Sequence, residues 1–66
     1  MKTNWKSLID FDQATVEEFA QGDLSGRAFY DRFRNTEVGG EARSLLRNRG
    51  VVYARRLARK SLKRIA

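Results

Sequence analysis

Apolar residues recur along this chain at helical intervals. Trp5, Leu8 and Ile9 stand at i, i+3 and i+4, and an unbroken helix would carry Val16, Phe19 and Ala20 on the same face. Asp12 would join them there, so the pattern predicts a break, with a first helix near 4–11 and a second from Val16 to Gln21, stopped by Gly22. The run Thr15, Val16, Glu17, Glu18 reads as a capping box, in which the Thr15 hydroxyl accepts from the Glu18 amide and Ala14 and Phe19 form a staple. Ser25 caps a third helix whose buried edge is Phe29 and Phe33, at i and i+4. Gly39 and Gly40 mark an internal joint, since adjacent glycines cost a helix interior about 2 kcal/mol relative to alanine. No alternation of period two is long enough for a sheet. The expected fold is therefore all-α: a small bundle of three or four short helices around Trp5, Phe19, Phe29 and Phe33, ending in a basic amphipathic helix.

That last helix follows Leu45, Leu46 and Gly50. At about 100° per residue from Val51, one half-circle holds Val51, Tyr53, Ala54, Leu57, Ala58, Ser61, Leu62 and Ile65. The other holds Arg55, Arg56, Arg59, Lys60 and Lys63, with Val52 and Arg64 off the pattern. Charge sharpens this division. Lys and Arg total 14 against 8 Asp and Glu, a net of +6. Residues 1–40 carry 5 cations and 7 anions, a net of −2, while residues 41–66 carry 9 cations and only Glu41, a net of +8. One domain over 1–66 is expected, with a mildly acidic head (1–40) and a basic tail (41–66).

Composition removes most chemistry. A chain this short buries only roughly 60% of the surface its unfolded form exposes, and small domains often add a disulfide or a metal. With no Cys and no His, disulfides, zinc fingers, haem ligation and thiol or imidazole catalysis are all excluded. Asp10 and Asp12 point apart at i, i+2 on a helix and make a poor metal pair. Gly39, Gly40 and Glu41 lack the Gly-Lys-Ser/Thr ending of a nucleotide loop. No enzyme activity, cofactor or metal is expected.

What remains is the basic tail. Such a segment attracts polyanions by Coulomb forces and counterion release, and its Arg-rich composition favours phosphate, which a guanidinium grips with two parallel hydrogen bonds. Arg55, Arg59 and Lys63 at i, i+4 and i+8 form a row with steps of about 6 Å, and Arg56, Lys60 and Arg64 lie beside it. Nucleic acid is the expected partner, DNA ahead of RNA. An anionic lipid surface is a poorer fit, because the apolar half includes Ala54, Ala58 and Ser61 and lacks a Trp or Phe anchor. Those small residues suit close helix packing, within the domain or between two copies, and the a/d spacing of Val51, Ala54, Ala58 and Ile65 allows a homodimer.

Residues 15–37 add a resemblance. Thr15, Val16, Phe19 and Ala20, then Leu24 and Ser25, then Phe29, Tyr30 and Phe33, then Asn35 and Glu37 are similar to the helix-turn-helix of TetR-type repressors, with a turn one residue shorter and Asp23 where that family carries glycine. The resemblance implies that Ser25, Gly26, Arg27 and Tyr30 face the major groove and its phosphates. The competing expectation is a non-enzymatic assembly module, a small phage or mobile-element adaptor or virion component that docks its basic helix into an acidic protein partner. Met1 to Asn4 is polar and the longest apolar run, Val51 to Ala54, is four residues. The expected location is therefore the cytoplasm or a nucleoprotein particle, with no secretory signal or transmembrane segment.

Overall fold

The apolar stripe does break at Asp12, and Asp12 itself makes the cap there. In a computed structural model, which describes residues 5–65 and the side chains of all of these but Arg49 and Ile65, helix α1 (Trp5–Gln21) is kinked at Asp12 (φ −157°, ψ 82°). Asp12 Oδ1 accepts from the Thr15 amide at 3.2 Å, which is the bond of an N-cap to the third residue of a new helical segment. The Thr15 hydroxyl donates to Asp12 Oδ2 at 2.7 Å and is buried, 2% exposed. Thr15 is thus the third residue of the segment rather than its cap, which corrects the capping box expected at Thr15 and Glu18. Position 4 of the anticipated first helix lies outside the described residues.

Gly22 ends α1 as expected. Its φ of +90° is left-handed, its amide bonds Phe19 O at 3.1 Å, and the Asp23 amide bonds Glu18 O at 2.9 Å, the paired bonds of a Schellman stop. Ser25 then caps α2 (Gly26–Phe33), its hydroxyl accepting from the Ala28 amide at 3.1 Å. A short connection is stitched by Thr36, whose hydroxyl donates to Phe33 O at 2.6 Å and accepts from the Val38 amide at 3.3 Å.

The two glycines of the anticipated joint open α3 (Gly39–Arg49) as its first residues. At Gly39 a Cβ would lie 2.6 Å from Phe33 O, so the close approach of two backbones demands glycine; at Gly40 the same atom would meet open space. Gly50 separates α3 from α4 (Val51–Ile65). The all-α bundle is therefore made of four helices, and among the described residues there is no strand.

The aromatic core predicted from spacing lies at the centre. Phe19 and Phe29 stack at 4.2 Å between ring centroids, Trp5 lies 6.3 Å from Phe19, and Phe33 meets Phe29 edge-on at 5.1 Å. Such pairs contribute about 0.5–1.5 kcal/mol each beyond area burial. Leu8, Ile9, Val16, Ala20, Val38, Ala42, Leu45, Ala54 and Ala58 complete the core. Phe11 was not singled out by spacing and is 48% exposed, leaning on Phe33 at 6.1 Å.

Ala54 and Ala58 are 1% and 0% exposed within one copy of the chain, where α4 lies chiefly along α1. Ala54 and Ala58 of the small-residue seam are accordingly packed inside one chain, and neither offers surface to a second copy in this arrangement. Val51, also of that seam, is half-buried, and the side chain of Ile65 lies outside the described set. Among the described residues no helix is long and apolar enough to cross a membrane.

Candidate nucleic-acid interface

Each cation expected to meet phosphate can now be placed. Arg55 is turned inward. Its Nε donates to Phe19 O at 3.1 Å and its Nη2 to Leu24 O at 3.0 Å, while the guanidinium carbon stands 5.1 Å from the centroid of the Phe19 ring. Arg59 Nη1 donates to Ala20 O at 2.9 Å. Both arginines therefore satisfy carbonyls at the end of α1, where a helix leaves its last carbonyls without intrahelical donors and its dipole favours a cation. Two members of the expected row thus serve the packing of α4 on α1.

The solvent face of α4 is rotated from that row. Turning about 100° per residue from Val51, Arg56, Lys60, Lys63 and Arg64 fall between about 120° and 220°, opposite Ala54 and Ala58 at about 300–340°. All four are exposed, and none has a carboxylate within 4.0 Å among the described residues. Arg56, Lys60 and Arg64 are spaced i, i+4 and i+8, a straight row with steps of about 6 Å. Val52 and Tyr53 share this face and are 78% and 37% exposed.

The residues singled out on α2 separate as well. The Ser25 hydroxyl is occupied as a cap. Gly26 is buried, and a Cβ there would lie 2.6 Å from Val51 Cγ2, so glycine lets α4 begin against the start of α2. Arg27 and Tyr30 line an open cleft of about 510 Å³ together with Gly26, Arg43, Leu46, Arg47 and Val51. Arg27 is 4.0 Å from Asp31 in an exposed i, i+4 pair, a contact of little energetic weight. Arg43 and Arg47 have no carboxylate within that distance among the described residues. Sequence reasoning missed these two, although their i, i+4 spacing placed both on one face of a helix with only Glu41 as an acid.

A second cleft, of about 480 Å³, has the opposite character: Ser7, Asp10, Phe11, Glu37, Val38 and Glu41 line it. No cluster of potential metal ligands occurs among the described residues. Exposed cations in a row, beside a cleft lined by three arginines, can hold a polyanion by charge and by paired hydrogen bonds. Compared with models of known families, with curated proteins and with solved structures, the chain matches none.

Proposed function

We propose that this protein is a small nucleic-acid-binding module that holds phosphates on the outer face of α4, with Arg56, Lys60, Lys63 and Arg64 as the contacts. One observation carries the reading: these four cations are exposed and without carboxylate partners among the described residues, although the chain has 8 Asp and Glu with which to pair them. A merely solubilising surface mixes both signs. The resemblance of residues 15–37 to a helix-turn-helix is the reason for placing DNA ahead of RNA.

Neutralising four phosphates on duplex DNA gives a slope of roughly −3.6 in log affinity against log salt concentration. Fluorescence anisotropy of a labelled duplex between low and moderate salt measures it. Replacing Arg56 and Lys60 by alanine makes the slope shallower by about 2 and weakens binding irrespective of sequence. Affinity that is flat across the salt range excludes the reading.

A second reading, assembly, is favoured by the acidic cleft of Asp10, Glu37 and Glu41, which the basic face of another copy would complement. Assembly requires a mass above that of one chain in solution without nucleic acid, falling to one chain when Glu37 and Glu41 are changed to glutamine.

A further inference from the structure

The cleft where α2, α3 and α4 meet combines features that a row of surface cations lacks. Three arginines, Arg27, Arg43 and Arg47, line it, and no Asp or Glu does. Its remaining wall is apolar and aromatic: Tyr30, Leu46 and Val51, with the backbone of Gly26. Tyr30 and Leu46 are half-buried, so their positions are set by the core behind them. Gly26 and Val51 are the first residues of α2 and α4, so two helix dipoles present their positive ends there. The volume of about 510 Å³ lies in the range of small-ligand sites, about 300–1,000 Å³.

We propose that this cleft binds one unpaired nucleotide of a single-stranded nucleic acid, with the base against Tyr30, Leu46 and Val51 and the flanking phosphates on Arg27, Arg43 and Arg47. The proposal rests on the nucleic-acid reading above and assigns to the same molecule a preference between strand states. Charge alone gives no such preference, since duplex phosphates reach exposed guanidinium groups equally well. The aromatic and aliphatic wall decides it. A base offers its ring face only when it is out of the stack, and stacking on an aromatic side chain tolerates every base. Arg27 and Tyr30 thereby act together with α3 as one concave site.

The test compares a labelled 12-nucleotide single strand with the same sequence as a duplex, by anisotropy at matched salt, with the full chain. The expected result is tighter binding of the single strand, displaced by adenosine monophosphate at concentrations where inorganic phosphate has no effect. Tyr30→Ala lowers single-strand affinity about tenfold and leaves the duplex within about twofold, as expected for loss of one stacked base. Should Tyr30→Ala unfold the domain, the exposed pair Arg43→Ala and Arg47→Ala decides, because it removes two of the three phosphate contacts that hold the base in the cleft and must narrow the single-strand preference, while the α4 face still binds duplex. Equal affinity for both strand states, or a preference unchanged in the arginine variant, overturns the cleft and leaves phosphate binding by α4 standing. Binding of neither form at low salt overturns the cleft and the parent reading together.

Discussion

Arg55 and Arg56 are neighbours in sequence with opposite employment. Arg55 gives two charge-assisted hydrogen bonds to backbone carbonyls and lies over the Phe19 ring. Such bonds contribute about 1.5–3 kcal/mol each when well formed, and partial exposure lowers the figure. Arg55→Ala is therefore expected to cost about 2–3 kcal/mol, a fall in Tm on the order of 10 °C for a domain this small. Arg55→Lys keeps the charge but loses the planar fork that reaches Phe19 O and Leu24 O together, so it recovers only part of the loss. Arg56→Ala should leave Tm within about 4 °C, since surface changes seldom exceed about 0.5 kcal/mol, and should weaken nucleic-acid binding. Thermal melts of the three variants, followed by the fluorescence of the buried Trp5, check this; equal Tm for Arg55→Ala and Arg56→Ala contradicts it. The helical wheel counted both arginines as polar. It could not show that one of them faces the carbonyl end of α1, because that end reaches α4 from more than 30 residues away along the chain.

At the scale of elements, helix spacing carried most of the architecture. The Trp5, Leu8, Ile9 stripe, the Gly22 stop, the Ser25 cap and the Phe29, Phe33 edge were all legible, because each is set by residues within one or two turns of one another. The cap of the second half of α1 was misplaced for a local reason. Asp12 and Thr15 are both good capping residues three positions apart, and the choice fell to Asp12 once the Thr15 hydroxyl was buried and could donate to it. The seam of α4 was legible as small residues, but its partner was not, since α1 and a second copy of α4 are equally apolar surfaces. With Ala54 and Ala58 buried inside one chain, a bulky residue there overpacks the α1–α4 contact. Ala58→Leu is expected to cost about 1–3 kcal/mol, with a Tm that does not change with protein concentration. A Tm that rises with concentration in the parent protein, and a halved mass in Ala58→Leu, would instead place the seam between two copies.

For the whole molecule, charge separation and compactness pull against each other. The radius of gyration is 10.2 Å, close to the roughly 11 Å expected of a folded chain of this length, so the bundle closes without disulfides in spite of a net charge of +6. The exposed α4 cations repel one another across steps of about 6 Å, within the Debye length of about 10 Å at 0.1 M salt. The ion pairs Lys6–Asp10, Arg27–Asp31 and Arg32–Glu18 have side chains 47–85% exposed and little to lose to screening. Added salt should accordingly raise the Tm of the free protein. In the presence of nucleic acid the sign reverses. At a ligand concentration of 100 times Kd, binding stabilises the fold by about 2.7 kcal/mol. A fourfold rise in salt at a slope of roughly −3.6 weakens affinity by about two orders of magnitude, which leaves only a few tenths of a kcal/mol of that gain. Plotted against salt, the Tm of the free protein should climb while that of the complex falls toward it, and the two converge as the complex dissociates. Parallel curves would mean that nucleic acid is held by contacts other than these cations, and a free-protein Tm that falls with salt would mean that the α4 row is not self-repelling.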